Sequence, residues 1–174
     1  MTRRLLSVLL ATATGLALPA AQDVSLEYRV KAGFLYNFVK YIEWPQPITG
    51  SFLICVAGQN PFGSVLEDMI QNERVRGVPL RTEVIPGPLP ECHVVFTPKT
   101  SNIPVYLRAA AGTPTLTVGE TDRYIEQGGL INFFLEQGRV RFEINRAAAE
   151  RVKLRISSRL LQLARITEPG AEER

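Results

Sequence analysis

Two cysteines, one histidine and a glycine-bounded loop are the residues in this sequence best suited to chemistry. Cys55 lies inside the apolar run SFLICVA (Ser51–Ala57) and Cys92 opens CHVVF (Cys92–Phe96), so both fall on or at the edge of segments with strand composition. A bond between them would close a loop of about 37 residues, worth roughly 4 kcal/mol in the chain-entropy model. The other reading is two buried thiols acting as small apolar fillers. Neighbouring parallel strands do not readily offer disulfide geometry, and the sequence leaves both readings open. A Cys-x-x-Cys pair is absent, which argues against catalytic thiol exchange. His93 adjoins Cys92, but successive strand residues point to opposite faces, so a hydrogen-bonding histidine is favoured over a Cys–His catalytic pair. Two Cys and one His cannot by themselves close a four-ligand zinc site, so neither a metal nor a cofactor is expected.

The loop Gly58-Gln59-Asn60-Pro61-Phe62-Gly63-Ser64 joins a strand to a helix, with its glycines at the spacing of a phosphate-binding loop. Ser64 stands where that motif needs lysine, which removes nucleotide hydrolysis. The free amides of a helix start still suit an anion or carboxylate, so Gly58, Asn60, Gly63 and Ser64 are ligand-loop candidates, against plain turn chemistry. Glu120 and Asp122 follow a strand end in VGETD, where a cap from Glu120 or Thr121 is simpler than acid–base work without a partner group. Nucleophile elbow, metalloprotease motif and dinucleotide fingerprint are all missing. No catalytic residue is assigned, and the chain does not read as an enzyme.

These residues need a scaffold to hold them. Leu26, Val30, Phe34, Phe38 and Ile42 recur at every fourth position, widened by Leu35 and Tyr41, which predicts a long amphipathic helix within Val24–Trp44, stopped by Pro45. Ser51–Ala57 follows as a strand; then comes a helix capped by Asn60, with Val65, Leu66, Met69 and Ile70 turned inward. Further strands are expected at Leu80–Ile85, Cys92–Thr97 and Thr115–Val118, with a helix near Val105–Ala111 and one or two helical turns over Glu120–Gln127. LINFFLE and RVRFEIN flank Gln137-Gly138 as a hairpin. Arg146–Ile166 reads as mostly helical, with a break at Ser157-Ser158. The fold class is α/β, a mainly parallel central sheet flanked by helices with a C-terminal antiparallel hairpin.

The chain has 174 residues, enough for one domain of ordinary globular composition. Residues 1–21, MTRRLLSVLLATATGLALPAA, have the three-part layout of a secretory signal peptide: Arg3 and Arg4, an apolar run from Leu5 to Leu18, then small residues at the cut. The run is too short for a bilayer anchor, since that takes about 20 residues. Residues 22–166 form a single domain and 167–174 a polar, flexible tail. Without Arg3 and Arg4 the 20 basic residues become 18 against 17 acidic, so the net charge of +3 gives no ground for nucleic-acid binding. The charge is uneven instead. Arg139–Arg165 carries eight cations against Glu143 and Glu150, which makes Arg146, Arg151, Lys153, Arg155 and Arg159 candidates for a partner surface. A solvated helix face is the alternative.

The strings EYRVKAGFLYNFVKYIEWP (Glu27–Pro45), ICVAGQNPFG (Ile54–Gly63), CHVVF (Cys92–Phe96), TLTVGETDRYIEQGGLINFF (Thr115–Phe134) and RVRFEINRAAAERVKLRISSRLLQLA (Arg139–Ala164) resemble the YfiR-like family of exported bacterial proteins. The resemblance runs in order through the whole of 22–166. It implies a periplasmic α/β domain that represses an inner-membrane diguanylate cyclase by binding its periplasmic sensor domain, and so controls cyclic-di-GMP and biofilm formation. It also implies that Cys55 and Cys92 match one cysteine pair of the family, whose best-understood member is modulated by disulfide redox. That member's second pair is missing here, so at most one bond remains. A periplasmic binding module for an anion or nucleotide-like small molecule is the second reading, and homodimerisation stays open.

Overall fold

The computed structural model describes residues 24–88 and 91–167. The export segment 1–21 and residues 168–174 of the tail lie outside the described residues.

Helix α1 (Leu26–Tyr41) begins at Ser25, whose Oγ accepts a hydrogen bond from Tyr28 N at 3.5 Å. Its buried residues are Lys31, Ala32, Leu35, Phe38 and Val39, while Leu26 and Val30 face solvent. This corrects the stripe expected from every fourth residue. With 3.6 residues per turn, a strict four-residue step drifts by about 40°, so a stripe started at Leu26 has swung well round the helix by Ile42. The helix also ends before Pro45, because β1 (Ile42–Glu43) leaves it as a strand.

Strand β2 (Phe52–Ala57) is followed by α2 (Val65–Ile70), a short β3 (Arg74–Val75) absent from the sequence reading, and β4 (Val78–Ile85). Then come β5 (Val94–Thr97), α3 (Ile103–Ala110), β6 (Leu116–Gly119), β7 (Ile131–Glu136) and β8 (Arg139–Ile144). Gln137 and Gly138 both take positive φ, 50° and 72°, the backbone of a two-residue turn whose twist suits the β7–β8 hairpin. Glu120–Gln127 forms turns rather than a helix, with Arg123 left-handed at φ 61°. On α2 Leu66 and Ile70 are buried, whereas Met69 is exposed and Val65 half-buried.

The C-terminal part departs most from expectation. Helix α4 (Arg146–Arg151) is closed by Lys153 at φ 62°, and Leu154 N donates back to Ala149 O at 3.0 Å. Strand β9 (Arg155–Ile156), helix α5 (Ser158–Leu161) and β10 (Arg165–Ile166) follow. Val152, Leu154 and Ile156 alternate at strand spacing, and Ile156 pairs with Ile42 in a small antiparallel ribbon that carries the chain back to the end of α1.

The main sheet runs β10-β8-β7-β6-β5-β2-β4-β3, parallel from β4 through β7, with the hairpin strand β8 antiparallel. Alternation along β2 divides the interior in two. Phe52, Ile54 and Val56 join the large core under α1 and α2, where the Phe38 ring lies 5.8 Å from Phe133 and 5.2 Å from Phe142. Cys55 and Ala57 face the other way, into a smaller cluster with Ile85, Val95 and Tyr106 of α3.

Candidate functional site

Cys55 sits in the middle of β2, and Val94 is the first β5 residue to pair with that strand. Cys92 therefore lies two residues ahead of the ladder. The two Cα atoms lie 5.9 Å apart and the sulfurs are bonded. Parallel neighbours would have been too constrained; a residue just ahead of the strand is not. The bond packs among Ala57, Ile85, Val95 and Tyr106, whose hydroxyl donates to Ile85 O at 3.2 Å. Beside it His93 is structural. Its N–H donates to Leu53 O (3.0 Å), its Nδ1 accepts from Leu53 N (3.1 Å), and its ring stacks on Phe52 with centroids 4.8 Å apart.

Nδ1 must be unprotonated to accept that bond, and burial holds the His93 pKa below its ordinary 6.5. The unfolded chain then takes up the proton first on acidification. The stabilisation is complete above about pH 6.5 and is lost as pH falls through the folded value. His93→Asn, which can offer Oδ1 in place of Nδ1 and does not titrate, is expected to flatten the fall in thermal midpoint between about pH 7 and pH 5. An equally steep fall in the variant would assign the loss to other groups.

The Gly58–Ser64 loop leaves β2 where adjacent connections diverge: α2 packs on the α1 side of the sheet and α3 on the other. Such a point at the strands' carboxyl ends is the usual ligand crevice of an open α/β sheet. Here the side chain of Asn60 closes the loop on itself, and Gly58 ties it to the end of β4. Asn60 Oδ1 accepts from Phe62 N (2.9 Å), Asn60 Nδ2 donates to Gly63 O (2.9 Å), and Gly58 N donates to Ile85 O (2.8 Å). Asn60 thus shapes the loop instead of capping α2. Ser64 holds the cap position without a side-chain bond, and the helix behind it has six residues.

Glu120 is a buried anchor, not a cap. Its Oε2 accepts from Lys31 Nζ (2.7 Å) and its Oε1 from Tyr28 OH and Lys99 N (3.0 Å each), which ties α1 to the loops after β5 and β6. Glu27 completes the pair with Lys31. Burial and the neighbouring Glu120 carboxylate hold the Tyr28 hydroxyl well above its ordinary pKa. Thr121 Oγ1, the other expected cap, is buried without a hydrogen-bond partner among the described residues. Next to it the fully buried Tyr124 ring lies between Gly119 and Gly129, and Thr97 Oγ1 donates to its hydroxyl at 2.9 Å.

The five cations are all exposed but not gathered in one place. Arg146, Lys153 and Arg155 line a cleft of about 640 Å³ together with Trp44, Pro45, Ile156 and Leu161 and the carboxylates of Glu43 and Glu150. The β1–β9 ribbon builds it by bringing Trp44 beside the α4 turn. Arg146 pairs with Glu150 at 2.8 Å. Arg151 lines a different cavity, and the Arg159 guanidinium lies 5.5 Å from the Tyr41 ring centroid. Among the described residues no group of three His, Cys, Asp or Glu side chains could hold a metal, and no helix is long and apolar enough to cross a membrane.

The sequence matches the YfiR/HmsC-like family model over residues 28–165. The chain belongs to that family. YfiR-like proteins are periplasmic regulators, not catalysts. The chain is also similar in fold to a conserved domain protein of Vibrio cholerae O1 biovar El Tor, with a TM-score of 0.51 at 14% identity over 79% of this chain. It spans 60% of that Vibrio chain's length, and the likeness concerns the fold alone. No curated protein matches.

Two features of the structure are not evident from the sequence. Lys31 and Glu120 are far apart in sequence, and a lysine inside an apolar stripe was the one available hint. Tyr124 between two glycines was foreshadowed by VGETDRYIEQGG, where Gly119 and Gly129 look like turn residues and serve instead to make room for a ring.

Proposed function

We propose that the protein is exported with residues 1–21 as a cleaved signal peptide and acts in the periplasm as a repressor. Its target is an inner-membrane diguanylate cyclase, whose periplasmic sensor domain it binds and whose cyclic-di-GMP output it holds down. The observation that carries this reading is the family match across nearly the whole domain. A soluble domain that prefers one conformation of a membrane sensor shifts the sensor's population by its differential affinity, and release then activates the enzyme.

The cleft beside Trp44 supports a docking surface, since an aromatic anchor beside Lys153 and Arg155, which unlike Arg146 have no acidic partner among the described residues, suits an acidic segment carrying an apolar side chain. The double charge reversal Lys153→Glu/Arg155→Glu is expected to slow association with the sensor domain by on the order of tenfold and to reduce its salt dependence. Surface plasmon resonance at two ionic strengths reads both. Unchanged kinetics with an intact fold would move the docking surface elsewhere. Partner identity is tested by capture from solubilised inner membranes, where the reading requires a protein with a GGDEF output domain, and recovery without one counts against it.

A further inference from the structure

The second cavity has a composition that the family reading does not use. It lies over the sheet face opposite α1, between the end of α3 and α4, and is a half-open cavity of about 650 Å³, within the size range of small-molecule sites. Leu107, Ala111, Leu130 and Val152 form its apolar lining, and its charged residues are Arg108 and Arg151, with no carboxylate among the lining side chains.

Its other polar side chains are already engaged. Thr113 Oγ1 donates to Ala110 O (2.8 Å), Thr115 Oγ1 to Cys92 O (3.1 Å), Thr117 Oγ1 accepts from Leu130 N (3.1 Å), and Gln127 Nε2 donates to Arg123 O (3.4 Å). The two guanidiniums make neither hydrogen bond nor ion pair with any described residue. Arg146 shows the contrast, since it is neutralised by Glu150. The unmatched chemistry of the cavity is thus two exposed, unpaired guanidiniums beside an apolar lining, which complements one acidic group on an apolar body.

We propose that this cavity is a ligand site for a small amphipathic anion, an apolar body ending in a carboxylate or phosphate group, held by Arg108 and Arg151. The acidic group lies between the guanidiniums and the apolar body covers Leu107 and Leu130. The site is separate from the Trp44 cleft, so it stands or falls independently of the cyclase reading. Each arginine also lies in the last turn of its helix, where a cation is favoured by the macrodipole without any ligand. The experiment separates these roles.

Isothermal titration of the purified protein uses decanoate and decyl phosphate below their micellar concentrations, with decanol, acetate and inorganic phosphate as partial ligands. Saturable one-to-one binding of decanoate or decyl phosphate is expected, with decanol, acetate and phosphate each at least tenfold weaker. Arg108→Gln/Arg151→Gln should keep its thermal midpoint within a few degrees and weaken the full ligand at least tenfold. Equal affinity in that variant, no saturable binding, or retention solely on vesicles of anionic phospholipid would overturn the proposal.

Discussion

Replacing both cysteines, Cys55→Ala/Cys92→Ala, is expected to cost about 4 kcal/mol of folding stability and to lower the thermal midpoint by on the order of 10 °C. The bond spans 37 residues and joins the middle of β2 to the segment ahead of β5, so its loss frees a long loop of the unfolded chain. In the native state it would also loosen the small cluster around Ile85, Val95 and Tyr106 that α3 rests on. Reductant applied to the wild-type protein should reproduce most of the loss and leave the alanine variant unaffected. Chemical denaturation of the three samples gives the comparison, and a reduced wild type as stable as the oxidised one would show that the bond does not constrain the unfolded chain as described. Folding of the protein would thereby become sensitive to the surrounding thiol balance through one bond.

Gly119→Ala and Gly129→Ala should each destabilise the domain by about 3–5 kcal/mol, the scale of losing a large buried side chain. A Cβ at Gly119 would stand 2.3 Å from the Tyr124 ring, and one at Gly129 2.2 Å from its other edge and 2.9 Å from the Tyr124 carbonyl oxygen. Neither neighbour can give way: the ring is enclosed on both sides, and its hydroxyl is bonded to Thr97 at the end of β5. The ring must leave the interior. A double-mutant cycle with Tyr124→Ala isolates the clash, because Gly119→Ala should cost within about 1 kcal/mol once the ring is gone. The same cost in both backgrounds would mean that the glycine is required for its backbone and not for the space.

How much of this was legible in the sequence depends on the range of the interaction involved. Strands β2, β4 and β6 and the β7–β8 hairpin were readable because their apolar runs and turn residues lie side by side in the chain. The segment after Asn145 was not, because a short helix and two-residue strands share one apolar pattern there, and the left-handed Lys153 that divides them has no marker such as glycine. The same holds for the site. Cys55 and Cys92 were evident as a pair, yet their bond depends on Cys92 lying outside β5, a displacement of two residues that composition does not resolve. The basic segment was evident as charge, but its division between the Trp44 cleft and the α3–α4 cavity follows from where α4 ends. Gly58 and Gly63 were singled out by spacing; the hydrogen bonds of Asn60 to Phe62 and Gly63 explain that spacing as loop closure.

Repression of the proposed membrane cyclase is read most directly as cyclic-di-GMP synthesis by that enzyme in membrane vesicles with the periplasmic face accessible, titrated with the purified protein. Saturable repression is expected, weakened by Lys153→Glu/Arg155→Glu and relieved as salt rises. Synthesis that stays constant across the titration, with a cyclase whose sensor domain is folded and exposed to the added protein, would contradict it.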